Sequence, residues 1–161
     1  MPDLKRSVDI PMASADKFQP MHNIFCDDVE KQKQFYAAIL GWDDIPEASS
    51  PIYRVLQGNG FQLAFNGVPA YELLGLKDRE RRRTSTSSAG TMVTFVVEDW
   101  ATVDEIAHKV PELGGSIVKG PFATYYGQWQ LVFNDPEFNI ARITAMTIPE
   151  GAEIPVVNFD T

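Results

Sequence analysis

The sequence predicts a single α+β domain built from two tandem βαβββ units, and three observations predict it. An apolar strand followed by an acidic residue occurs twice, and the separation from Met21 to Asp28 equals that from Met92 to Asp99. Each copy continues into an amphipathic helical stretch that stops at glycine. After each helix come three short strand-like runs separated by turn residues.

Met21 to Cys26 is apolar enough for a buried strand, and Asp27 and Asp28 follow as candidates to cap a helix, with Glu30 well placed in its first turn. The helix should run from about Val29 to Leu40, because Phe35, Tyr36, Ile39 and Leu40 recur at helical spacing and Gly41 can take the left-handed closing position. Three strands fit next, near Trp42 to Ile45, at Ile52 to Gln57 and at Phe61 to Phe65, with Gly58, Asn59 and Gly60 turning between the last two. The second unit opens with Met92 to Val97 and the cap Asp99. Val103, Ile106, Ala107, Val110 and Leu113 then form one apolar stripe, ended by Gly114 and Gly115. Its remaining strands are expected at Ser116 to Lys119, Tyr126 to Phe133 and Asn139 to Thr144, the last two joined by a turn at Asn134 to Glu137.

Between the units, Lys77, Arg79, Arg81, Arg82 and Arg83 alternate with acids and run into Thr84, Ser85, Thr86, Ser87 and Ser88, which reads as a mobile, solvated linker. The organisation is therefore an irregular arm at 1–19, a domain at 20–145 and a tail at 146–161. Within the domain, the first module is about 20–76, the linker 77–90 and the second module about 91–145.

With 161 residues, 44% apolar and 11% aromatic, the chain can bury one substantial core. A net charge of −8 repels phosphate backbones and anionic lipid, so nucleic acid and membrane surfaces are poor partners and a small organic molecule is the expected one. No apolar run reaches the roughly 18 residues of a membrane span, and the N-terminal stretch lacks a signal-peptide core, so a cytoplasmic location is expected. The one cysteine, Cys26, cannot form an internal disulfide, and in an apolar strand it reads as packing rather than as a nucleophile.

Asp28-Val29-Glu30, then Phe35-Tyr36, then Leu40-Gly41-Trp42 resemble the opening signature of the vicinal-oxygen-chelate superfamily, which includes glyoxalases, bleomycin resistance proteins and dioxygenases. Asp135-Pro136-Glu137-Phe138-Asn139 is similar to the turn that precedes that family's last strand, with Phe138 where Gly is usual. The resemblance covers about residues 20 to 145. It implies eight strands curling into an open, barrel-like mixed sheet around a cavity, the glyoxalase/bleomycin resistance fold, often within a homodimer.

Metal-dependent members of that family carry ligands, usually His and Glu, on the first and last strand of each module. The matching positions here are Met21, Gln62, Met92 and Arg142. Two thioethers, an amide and a fixed cation are a poor donor set for a divalent metal, so neither a metal nor any other cofactor is expected. A slip of one residue would bring in His22. Strand alternation instead puts His22 with Ile24 and Cys26 on the helix side as a packed histidine, and His108 reads as solvent-exposed.

The same alternation points Met21, Asn23, Phe25, Gln62, Ala64, Asn66, Met92, Thr94 and Arg142 into the cavity. Apolar walls, amides and one guanidinium suit a flat or conjugated molecule whose oxyanion Arg142 can hold. Tyr125 or Tyr126 could act as general acid beside it, and of Tyr126 and Trp129 one should face inward. Two readings stay open: a metal-free binding or sequestering protein, and an enzyme using Arg142 and a tyrosine for a metal-free lyase, isomerase or cyclase step. A third, a metal-dependent glyoxalase-type lyase or dioxygenase, requires ligands not recognised in this pattern.

Overall fold

A computed structural model describes residues 17–81 and 88–160. The chain runs β1 (Met21–Phe25), α1 (Val29–Leu40), β2 (Asp43–Asp44), β3 (Tyr53–Gly58), β4 (Phe61–Asn66), α2 (Pro69–Leu73), β5 (Val93–Val97), α3 (Trp100–Glu112), β6 (Ser116–Ala123), β7 (Trp129–Asn134) and β8 (Ile140–Ala145). Two four-stranded sheets result, ordered β1-β4-β3-β2 and β5-β8-β7-β6. In each, the first and last strands of the module pair in parallel and the other pairs are antiparallel. The repeat in the sequence is thus a repeat in topology. The sheets do not close into a true barrel, and β1 and β5 each keep one edge unpaired in them.

Both long helices start where the capping residues predict. Asp28 accepts from the Lys31 amide at 3.0 Å and Asp99 from the Thr102 amide at 2.9 Å, each satisfying a donor the helix itself cannot pair. α1 ends on Gly41, whose φ of +66° is the left-handed region open to glycine. In its first turn Glu30 bonds Lys33 and Arg54, which hold its carboxyl down to about 2.

The apolar faces of both helices meet one continuous core. β3 and β4, with Leu56, Leu63 and Phe65, pack on α1, and β7 and β8, with Leu131, Phe133, Ala141 and Ile143, pack on α3, while Ile24 and Cys26 join the same cluster. Rings bridge the modules: Phe35 to Phe133 at 6.2 Å and Trp42 to Phe95 at 5.6 Å between centroids. Gly115 sits at this junction, where an added Cβ would stand 2.5 Å from the Asn134 carbonyl oxygen and 3.0 Å from Phe35. Among the described residues no helix is long and apolar enough to cross a membrane.

Several boundaries differ from the sequence expectation. The short helix α2 was not anticipated, although Pro69 in its first turn is a helix-start signal. β6 extends past Lys119 to Ala123 through register irregularities. Tyr126 lies in a turn rather than a strand, because Thr124 and Gln128 close a loop around Gly127, whose φ is +81°. The basic start of the expected linker is not solvated throughout: Lys77–Arg79 forms a 3-10 turn, and Arg81 is half-buried with its guanidinium on Asn139. Residues 82–87 of that segment lie outside the described residues.

Candidate functional site

Because alternate residues of each strand face the helices, the others form an open face on the opposite side of each sheet. In the first sheet the rungs of that face are Met21–Gln62–Gln57, Asn23–Ala64–Val55 and Phe25–Asn66–Tyr53. It is lined with amides that hold one another: Gln62 donates to Gln57 at 3.1 Å, and Asn66 donates to Asn23 at 3.0 Å. At its end, Tyr71 of α2 stacks on Phe25 with ring centroids 4.5 Å apart.

The open face of the second sheet carries Thr94–Arg142–Val132 on one rung and Val96–Thr144–Gln130 on the next. The Arg142 Nε donates to the Thr94 hydroxyl at 3.1 Å, and the half-buried guanidinium has no carboxylate partner among the described residues. Next to it is a hydroxyl–amide network. The buried Gln130 amide donates to the Tyr126 hydroxyl at 2.8 Å and to Thr144 at 3.1 Å, and the Thr144 hydroxyl donates to Gln128 at 3.0 Å. Arg142 and Thr144 are two residues apart on one strand, so the guanidinium and the Tyr126 network are rooted about 7 Å apart.

The other sequence-nominated residues fall elsewhere. Trp129 turns to the helix side, where its indole donates to Asp104 of α3 at 2.7 Å and packs on the core, so it does not line the open face. Tyr125 packs edge-on against Tyr126 and Phe159, at the tip of the turn. Met92 is exposed just ahead of β5. His108 is exposed, while His22 is half-buried, which lowers its pKa. Cys26 is fully buried.

The four positions that the family resemblance assigns to metal ligands therefore hold two thioethers, an amide already bonded to Gln57, and a guanidinium bonded to Thr94. That set does not fit a divalent metal. Nor do three His, Cys, Asp or Glu side chains come together as a ligating group among the described residues.

A cleft the sequence did not disclose, of about 580 Å³, follows β1 and reaches the starts of β5 and β8. Asn23 and Phe25 reach it from the first sheet, Tyr71 and Leu76 from α2 and the turn after it, and Arg79 and Arg81 from the basic segment. Arg81 is anchored. Its Nη2 donates to the Asn139 Oδ1 at 2.7 Å, while the Asn139 Nδ2 donates to both oxygens of the buried Asp135 carboxylate at 3.1 and 2.9 Å. A carboxylate only accepts and a guanidinium only donates, so the amide can be oriented in one way. Asp135 also accepts from the Tyr36 hydroxyl at 2.9 Å, and burial together with this carboxylate raises the Tyr36 pKa well above its ordinary value. A second groove of about 470 Å³ follows β5 and is mostly apolar, with Leu40, Trp42, Phe61 and Ile106 among its walls.

The architecture matches known proteins. The model of the Glyoxalase/Bleomycin resistance protein/Dioxygenase superfamily fits residues 18–141. A glyoxalase/bleomycin resistance protein/dioxygenase family enzyme from Burkholderia phytofirmans PsJN is 32% identical, with a TM-score of 0.72 over 78% of this chain and 96% of that one. A glyoxalase-related enzyme from Fulvimarina pelagi is 21% identical, with a TM-score of 0.64 over 88% and 100% of the two chains. The fosfomycin resistance protein FosX from Mesorhizobium loti is 12% identical, with a TM-score of 0.59 over 85% and 96%. At those identities the last two show the fold alone. A search of curated proteins found no match. With both βαβββ modules, their signature turns and most of the chain accounted for, the protein belongs to the glyoxalase/bleomycin resistance protein/dioxygenase superfamily.

Proposed function

We propose that this chain binds a small conjugated organic anion on the open face of its second sheet, without a metal, either sequestering it or carrying it through an enolate-like lyase, isomerase or cyclase step. One observation carries the reading: Arg142 stands where the family pattern has an acidic metal ligand, and its charge meets only a neutral hydroxyl among the described residues. A guanidinium in that position presents forked donors to a carboxylate or to paired oxygens. Tyr126 accepts from Gln130 and keeps its own proton available for a substrate oxygen, which is the role of a general acid. A homodimer belongs to the same reading, because Met21, Met92 and Val96 leave apolar surface exposed at the open faces.

Phenylpyruvate, an enolisable aromatic oxo acid, is a suitable probe. Arg142→Met keeps the bulk and removes the charge, and for a charge-assisted hydrogen bond the expected loss of affinity by calorimetry is about 2–4 kcal/mol. Proton exchange at the methylene carbon in D2O, faster than in buffer and slowed by Tyr126→Phe, would favour the enzyme over the binding protein. Unchanged affinity in the Arg142 variant would refute the assignment of the anion to this residue.

A further inference from the structure

We propose that the cleft along β1 is a second ligand site, independent of Arg142, for an organic oxyanion with an aromatic or conjugated body. Its charge is out of keeping with the rest of the chain. The sequence carries a net charge of −8, yet the described residues lining the cleft include two arginines and a histidine and not one Asp or Glu.

Among the described residues neither guanidinium pairs with a carboxylate. Arg79 forms no ion pair among the described residues, and Arg81 meets the neutral oxygen of the Asn139 amide. Two like charges held at one cleft repel each other, and an anion between them relieves that repulsion while gaining bonds to both. Burial lowers the His22 pKa, so the cleft's positive charge at neutral pH comes from the arginines.

Arg81 is also fixed in place before any ligand arrives. Asn139 grips it from one side and is itself tied to the buried Asp135, so the side-chain entropy of one guanidinium is already spent. The remaining walls set the ligand's body. Phe25, Leu76 and Ile140 give an apolar surface, while Asn23 and Thr91 offer hydrogen bonds. At about 580 Å³ the cleft lies within the usual range for small-molecule sites, roughly 300–1,000 Å³, and is far larger than a bare inorganic ion requires.

Phenyl phosphate, benzoate and inorganic phosphate, titrated calorimetrically into the full-length protein, separate the parts of this claim. In the Arg142→Met background, where the anion site proposed on the second sheet does not contribute, phenyl phosphate or benzoate should bind with one-to-one stoichiometry, weaken with added salt, and bind at least about tenfold more tightly than inorganic phosphate. Which of the two aromatic anions binds better identifies the oxyanion. In that background Arg79→Gln should weaken the tighter one about ten- to a hundredfold, and Arg79→Lys should restore part of that loss. The Arg79 side chain is exposed and has no hydrogen-bond or ion-pair partner among the described residues, so its variants are expected to fold. Three results would each overturn the proposal: no binding of either aromatic anion at millimolar concentration, inorganic phosphate binding as tightly as they do, or affinity lost in Arg142→Met and kept in Arg79→Gln. The last would leave the reading of Arg142 standing by itself.

Discussion

Removing one oxygen from the core tests whether the Asp135 network holds the two modules together. In Tyr36→Phe the ring stays and only the hydroxyl goes, so the change isolates a hydrogen bond of 2.9 Å between two groups that are 0% and 1% exposed. A hydrogen bond to a buried charged group is worth about 1.5–3 kcal/mol. Asp135 keeps other partners, since its Oδ1 still accepts from the amides of Glu137 and Asn139 and its Oδ2 still accepts from the Asn139 side chain. That compensation places the expected cost near the middle of the range, about 2 kcal/mol, or about 4–8 °C in Tm for a chain of this size. Urea denaturation followed by circular dichroism measures it. A double-mutant cycle with Asp135→Asn should return a coupling of about 1–2 kcal/mol.

The same variant has a signature in pH. Burial, and then the neighbouring Asp135, raise the Tyr36 pKa, so the folded chain retains this proton at pH values where the unfolded chain has released it. Its contribution to stability is complete below about pH 10 and declines as pH rises further, toward the folded-state value. The wild type should therefore lose stability above about pH 10 more steeply than Tyr36→Phe. If the variant lies within about 0.5 kcal/mol of wild type and the two alkaline profiles are parallel, the hydroxyl is not a structural tie and the reasoning fails.

Two further substitutions probe the packing. Gln32 is fully buried on α1 with neither side-chain polar atom hydrogen-bonded among the described residues, so Gln32→Met should raise stability by about 1–2 kcal/mol in the same denaturation assay, and a loss would mean that the amide is satisfied. Gly115→Ala should cost about 1–3 kcal/mol, because the new methyl would stand 2.5 Å from a backbone carbonyl that cannot move aside without shifting β7; a Tm unchanged from wild type would show that the junction yields.

What the sequence disclosed was what is decided locally. Asp28 and Asp99 cap the helices and Gly41 ends one of them through contacts within a few residues, and these features were legible from side-chain chemistry and spacing. Strand alternation likewise assigned Asn23, Gln62 and Arg142 to the faces away from the helices, since a period of two needs no knowledge of the partner strand. The docked end of the basic segment was not legible, because Arg81 is held by Asn139, 58 residues further on, and a charged, Ser-rich run carries no sign of such a partner. The orientation of Trp129 was left open for a related reason: alternation can be counted only from a known strand start, and Gly127 delays the start of β7. Phe138 marks a departure in the other direction. It occupies a left-handed conformation, φ +63°, at the position where the family pattern has glycine, so the turn keeps its shape without the residue that would adopt it most easily.

The entry to α1 illustrates how far the second module reaches into the first. The Glu137 carboxylate accepts from the backbone amides of Asp27 at 2.6 Å and Asp28 at 3.0 Å, a span of about 110 residues of sequence. During synthesis the ribosome adds about 5–20 residues per second, so the first helix must wait several seconds or more before the residue that closes its approach has been made. Until then its Phe35 face has no Phe133 to cover it, and β1 and β4 can pair but leave apolar surface exposed. The duplicated pattern invites the picture of two independent halves folding in succession. The contacts from Glu137 and Phe133 instead lead us to expect late commitment as one unit, with the nascent N-terminal half the part most exposed to aggregation.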